Sequence, residues 1–268
     1  MLSESEVLKE ARGKSSAIFI AVNYGTSELI DPWYHSIQLR FKHQCTLILV
    51  DNFSSDCERE RVRKCCNALN VILIENANTG YGSALNLAYG WVLDKVDMLS
   101  EKLIFSGNLD IEYISIGIKL PGETAVFMPF LESKNKGDQN PFLTQFQKNA
   151  FPLFTLAAKF KSRNLLFLAR LTSKILGIFP SRFYACHGSL FAFTGDLLSK
   201  HIFNNESFLY CEELEFAEYV DRKGVQFSPS EICYRHTGKV STGSFFVSKK
   251  SKFMNWVISY NNWCRRWS

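Results

Sequence analysis

The chain has 268 residues, 46% of them hydrophobic and 21% charged, with a formal net charge of +5. That length suits one large α/β domain or two small ones, and one is expected. No window of about 18 apolar residues runs free of charge, which excludes a spanning helix, and Glu4, Glu6 and Glu10 break any leader-like run before AIFIAVNY. Eight cysteines contain no CxxC pair, so reduced thiols in the cytoplasm are expected rather than a disulfide framework or a zinc site.

Charge is unevenly spread. Residues 140–195 hold seven Lys and Arg and no acid, and seven more cations follow Glu231 without an acid. Removing these fourteen from +5 leaves −9 for the remainder, so the basic charge suggests a face for an anionic partner.

AIFIAVNY (17–24) is a short run of β-formers, and a helix opens after Gly25 with Glu28 in its first turn. TLILVDN (46–52) is a second strand, followed by DNFSSD and the helical ERERVRKCCNAL. VILIEN (71–76) is a third, followed by a Gly-rich turn and helix in ANTGYGSALNLAYGWVL, and KLIFSGNLD (102–110) is a fourth. Alternation at this spacing predicts βαβ units and a mostly parallel sheet flanked by helices. The second half is less regular. AVFMPF (125–130) and SLFAFTG (189–195) read as strands, LLFLARLTSKIL (165–176) as a helix, and ELEFAEYVDRKG as a helix with Gly224 past its end. SKNKGDQNP (133–141) is the expected mobile loop.

In open α/β sheets ligands bind beyond the carboxyl ends of the strands, where NYGTS, DNFSSD, NANTGYG and GNLD all fall. Asp51 at such an end suits a ribose hydroxyl or base nitrogen, whereas Ser55 and Asp56 suit a helix cap. Gly80 and Gly82 either cradle a phosphate or only permit a tight turn, and Asn86 either faces the ligand rim or packs. Asn108 and Asp110 are two apart on an extended segment and so share a face. A divalent cation such as Mg²⁺ or Mn²⁺ takes hard oxygen donors, commonly only one or two of them carboxylates. His187 and His236 read singly as structural. Glu212 and Glu213 either complement a helix N-terminus or act chemically.

In their order, AVNY, LVDNFSSD, IENANTGYGSALNLAYG, GNLD, FNNESFLYCEELEF and RHTGKVS resemble a GT-A glycosyltransferase of family 2, in its rhamnosyltransferase-like branch, over about residues 17 to 243. The resemblance implies one GT-A domain (1–243) with a nucleotide-binding half near 15–112 and an acceptor half near 113–243, followed by a basic aromatic tail (244–268). It implies inverting transfer from a UDP- or dTDP-sugar to a glycan or polyprenyl-linked acceptor in bacterial surface polysaccharide synthesis. Glu213 would be the general base and Glu212 its assistant. Asp51 would hold base or ribose, in a donor site with Asn23, Tyr24, Asn52, Gly80, Asn86 and Asn108. Asp110 and His236 would hold the cation. The motif reads Asn-Leu-Asp, with an amide at the first acidic position, and Gly25 stands where many relatives have Asn.

Two other classes compete. A sugar-1-phosphate nucleotidyltransferase should carry a GxGTR-like loop after the first strand, which AVNYGTSE lacks; a non-catalytic nucleotide-sugar-binding relative is favoured only by Asn108. No nucleic-acid module is recognised. Lys159, Arg163, Arg170 and Lys174 fall in one helical stripe, and the tail combines Lys and Arg with Trp256, Trp263 and Trp267. Residues 159–178 and 245–268 are therefore expected at the inner face of the membrane, against an ordinary packed helix as the alternative.

Overall fold

The computed structural model describes residues 16–117, 123–132, 140, 142–237 and 249–267. The expected loop at 133–141 lies outside these, apart from Asn140. In chain order the first half runs β1 (Ala17–Asn23), α1 (Ile30–Arg40), β2 (Cys45–Asn52), α2 (Asp56–Leu69), β3 (Ile72–Asn76), α3 (Tyr81–Lys95), β4 (Leu103–Asn108) and β5 (Ile111–Gly117). The second half runs β6 (Val126–Glu132), β7 (Leu143–Thr144), α4 (Phe151–Lys159), α5 (Arg163–Leu176), β8 (Phe183–Ala185), β9 (Leu190–Thr194), α6 (Glu212–Arg222), β10 (Phe227–His236) and α7 (Lys249–Trp267).

The main sheet has eight strands in the order β3-β2-β1-β4-β9-β6-β10-β5. The first four are parallel, with Asn23 level with Asp51 and Val22 level with Asn108. Their apolar runs reflect burial on both faces. β9 runs antiparallel to β4 and β6, and β5 antiparallel to β10. The mixed α/β sandwich is the expected class, and the four anticipated strands of the first half fall within two residues of their observed bounds. β4 ends at Asn108, however, so Asp110 belongs to the turn into β5 rather than to the strand.

Two apolar layers cover the sheet. On one face Phe19 stacks on Phe105 at 4.5 Å, with Trp33 of α1 and Tyr113 closing over them. On the other, Leu85 and Tyr89 of α3 meet Phe191, Phe193 and Phe216. Ser55 caps α2 by accepting the Glu58 N–H at 3.3 Å, as its residue type predicts. Gly224 adopts a φ of +70° just beyond α6.

Residues 249–267 form α7, and its aromatic face turns into the protein instead of outward. Tyr260 and Trp263 are buried with Val257 against Ala158, Tyr184 and Leu214. Trp256, Tyr260, Trp263 and Trp267, spaced four, three and four apart, share one helical face, so a single packing surface takes all of them.

Phe216 is wholly buried and meets Phe191 at 4.6 Å and Phe193 at 5.3 Å. Phe216→Ala is expected to lower the free energy of unfolding by about 3–5 kcal/mol, measured by urea titration.

Candidate active site

The carboxyl ends of β1, β2 and β4 open on a cavity of about 340 Å³. Its walls come from four places. Tyr24 and Leu29 follow β1, Asn52 and the 78–81 turn supply a second side, and Asn108 to Asp110 form the floor. His187 to Ser189, the 208–213 segment and His236 close the remaining side.

The second side is an amide lattice. Asn52 donates to the Asn78 side chain at 3.0 Å and accepts from Asn76 at 3.0 Å and from the Thr79 N–H at 3.3 Å. The lattice fixes the turn that delivers Gly80, whose φ of 99° favours glycine. Gly80 also has a steric reason: a Cβ there would lie 2.4 Å from the Phe208 carbonyl oxygen. The Tyr81 N–H donates to that same oxygen at 3.1 Å. Gly82 similarly abuts Phe203.

Not every expected residue reaches the cavity. Asn23 and Asp51 are buried behind its wall: Asn23 donates to Asp51 at 2.9 Å and its oxygen holds the Thr26 N–H and hydroxyl, while Arg59 pairs with the other Asp51 oxygen at 2.8 Å. Neither side chain lines the pocket. Asn86 points elsewhere too, donating to the Phe203 carbonyl at 2.8 Å and accepting the Phe203 N–H at 3.1 Å. Its place one turn into α3 suited either role, and the Phe203 backbone and the Asn205 side chain claim it.

Asp110 and His236 meet although they are 126 residues apart. The Asp110 Oδ1 and His236 Nε2 lie 3.0 Å apart, and the Asn108 amide is 3.3 Å from the same nitrogen. β10 pairs with β5, placing His236 beside Ile111. Thr237 then donates through its N–H and its hydroxyl to the Asp110 carbonyl, locking the turn. Asp110 is 4% exposed, and its Oδ2 has no hydrogen-bond partner among the described residues. A buried carboxylate oxygen left open beside an imidazole nitrogen is a fitting pair of donors for a divalent cation. Among the described residues no group of three acidic, His or Cys side chains converges, so the protein would furnish only part of a shell. Phosphate oxygens and water commonly complete such shells.

Glu212 and Glu213 open α6 on the opposite wall. Cys211, with a φ of 70°, turns the chain so that both acids face the cavity. Burial, reinforced by Glu213, pushes the Glu212 carboxyl up to about 8, and its Oε1 has no partner among the described residues. Burial also raises Glu213, but its own N–H and that of Gly188 donate to it and favour its charged form. Burial therefore favours a proton held by the pair, more strongly at Glu212 than at Glu213, whose charged form those two N–H groups support. Gly188 makes this possible, since a Cβ there would lie 2.7 Å from a Glu213 oxygen.

His187, taken as structural from sequence, lines the cavity. Burial and then the nearby His236 push its imidazole down to about 4, so it is neutral. Its Nδ1 accepts the Ser189 N–H at 3.2 Å, which puts the ring proton on Nε2. Tyr81, Asn78 and Gly188 were also missed. A His-Gly pair just before a buried strand was the available signal, parallel to the acids and amides at the other strand ends.

The far side of the 206–211 segment rests on α7. Ser259 donates to the Leu209 carbonyl at 2.7 Å and Asn262 to the Glu206 carbonyl at 3.1 Å. Arg266 and Trp267 hold Glu215 at 3.0 and 2.7 Å. The C-terminal helix thus braces the wall that carries the two acids.

The chain has the GT-A fold, the architecture of a group of glycosyltransferases. It superposes on Staphylococcus aureus TarS with a TM-score of 0.52 at 15% identity, over 83% of this chain and 36% of that one. On the TarS fragment 1–349 the score is 0.52 at 13% identity, over 94% and 73% of the two chains. The chain thus spans about a third of the first of these TarS chains. A mannosyltransferase from Pyrobaculum calidifontis, solved with GDP-Man and Mn²⁺, gives 0.47 at 14% identity over 84% and 59%. No protein-family model and no curated protein matches the sequence.

The raised Glu212 fixes a sign for stability. Its folded value lies above the unfolded 4.5, so its contribution is fully present below pH 4.5 and is lost as pH rises towards about 8. Glu212→Gln is therefore expected to gain on the native chain by up to about 1.4 kcal/mol per pH unit through that window, read from denaturation curves at pH 5 and pH 8. Gly80→Ala should cost several kcal/mol at either pH, through its positive φ and the Phe208 carbonyl.

Proposed function

We propose that the chain is an inverting glycosyltransferase of the family 2 type, moving a sugar from a UDP- or dTDP-sugar to a hydroxyl of a glycan or polyprenyl-linked acceptor in bacterial surface polysaccharide synthesis. One observation carries the reading. Two separate pairs, Asp110 with His236 and Glu212 with Glu213, each containing a buried carboxyl, face the same cavity at the carboxyl edge of the sheet.

The donor is assigned to the side built by the first half. Tyr24, Asn52 and Asn78 offer a ring and amides to the nucleoside, with Asp51 acting from behind by fixing Asn23 and Arg59. Asp110 and His236 would hold Mg²⁺ or Mn²⁺, which supplies positive charge against the departing nucleoside diphosphate. The neutral His187 offers an N–H donor on the same floor.

The acceptor is assigned to the other wall. Its hydroxyl gives its proton to the Glu213 carboxylate as the oxygen bonds to the anomeric carbon; the bond from that carbon to the diphosphate breaks, and the leaving oxygen keeps the electron pair. Phe208, Leu209 and Tyr210 line the cavity beside the acids. The exclusion of water there keeps Glu213 basic. Glu212, whose neutral form burial favours, would not add a second negative charge beside Glu213. Displacement in one step from the face opposite the leaving group inverts the centre, and no covalent nucleophile is used.

Glu213→Gln is expected to reduce transfer by about 10²- to 10⁴-fold while leaving donor affinity within twofold, measured with a panel of UDP- and dTDP-sugars and soluble acceptors. Transfer at the native rate would remove Glu213 from the base role. Asp110→Asn should abolish the extra thermal stabilisation that Mn²⁺ gives to nucleoside-diphosphate binding, and an unchanged shift would move the cation elsewhere.

A further inference from the structure

We infer that the helical hairpin of α4 and α5 seats the protein on an anionic lipid bilayer through an exposed apolar ridge. The inference names a surface for the proposed transferase, but it stands on observations independent of the catalytic reading.

The ridge is unusually bare. Phe167 is 70% exposed and Ile178 77%, with Phe160, Leu171, Ile175 and Phe179 also between 45% and 65% exposed. Isolated exposed apolar residues are ordinary, but here six fall within 20 residues of the chain. On α5, Phe167, Leu171 and Ile175 recur every four residues and form one line. Leu166, Ala169 and Ser173 on the inner face are the residues that pack. Phe160 precedes the helix, and Ile178 and Phe179 extend the line past its end, where Phe179 stacks on Phe146 at 5.6 Å.

Charge selects the occupant. Arg163, Arg170 and Lys174, spaced seven and four apart, form a second exposed line beside the apolar one. Of the seven cations within 140–195, only Lys148 has an ion-pair partner among the described residues, in Glu218 and Asp221. Unneutralised cations flanking exposed aromatic and aliphatic side chains match a bilayer surface, with the apolar line at the acyl boundary and the cations among phosphate headgroups. A second copy of this chain would instead bring like charges together. α7, expected to share the role, is excluded from the ridge because Tyr260 and Trp263 are buried in the protein. No helix among the described residues is long and apolar enough to cross a membrane, so the contact would be one of surface seating.

The hairpin is also placed for the task. It is inserted between β7 and β8, which pair with each other. β8 ends at Ala185, two residues before His187 of the cavity, and the ring of Phe142 lies 6.1 Å from that of His187. The hairpin is thus tied through β8 to the segment that carries His187.

The test uses the full chain with vesicles of phosphatidylglycerol and phosphatidylcholine, compared with phosphatidylcholine alone, by flotation at low salt. Binding is expected only with the anionic lipid, and it should weaken with added salt. Phe167→Ser with Ile178→Ser should reduce binding at least tenfold without changing the unfolding temperature, since both side chains are exposed. Arg170→Glu with Lys174→Glu should do the same. Absence of binding by the native chain, or equal binding by the Phe167 and Ile178 variant, overturns the inference. So does a native dimer that this variant makes monomeric, which would assign the ridge to self-association. Glu213→Gln should bind vesicles as the native chain does; transfer at the native rate by this variant, with binding intact, would count against the catalytic reading and leave the surface standing.

Discussion

The carbonyl of Phe208 is the point at which the two halves of this chain are joined around the cavity. It accepts the Tyr81 N–H at 3.1 Å, and the absent side chain of Gly80 is what lets the backbones come so close. That approach brings the turn after β3 against the segment before α6, so that the amide wall of the first half faces the acids of the second. The amide lattice of Asn52, Asn76 and Asn78 fixes one partner in this contact. α7 fixes the other through Ser259 and Asn262. A short backbone contact so supported on both sides gives the cavity a defined width.

Within that frame the costly groups are the informative ones. Burying carboxylates opposes folding unless they are neutralised or paired, and the chain treats its buried acids differently. Asp51 is satisfied by Arg59 and the Asn23 amide, and Glu215 is paired through its Oε2 with Arg266 and the Trp267 indole N–H; neither lines the cavity. Asp110 and Glu212 each keep an oxygen without a partner among the described residues, and both line the cavity. Pairing with arginine away from the cavity thus separates acids that hold the structure from acids that face a ligand. Adjacent Glu213 is intermediate, stabilised by two backbone N–H groups yet still raised by burial.

The outer surface shows a similar separation. α5 and α7 are both basic and aromatic in sequence, but one turns its apolar residues outward and the other inward. α7 has Ala158, Tyr184 and Leu214 to pack against. The apolar line on α5 has no such neighbour, because the hairpin's inner face is already filled by the small residues Ala157, Ala158 and Ala169 and by Leu166.

The sequence by itself determined the alternation of strands and helices in the first half, and hence the sheet and the rim where polar residues gather. These are local properties: apolar runs of strand length, caps such as Ser55 and turns such as that at Gly80 are written in neighbouring residues. Its motif order also pointed to Asp110, His236, Glu212 and Glu213, which do line one cavity. Tertiary structure alone decided that Asn23, Asp51 and Asn86 serve as braces behind the wall, that His187 joins the floor, and that α7 packs while α5 stays bare. Each of those outcomes depends on which distant backbone group or side chain comes within about 3 Å, and residue type at one position carries no record of partners that lie tens to more than a hundred residues away.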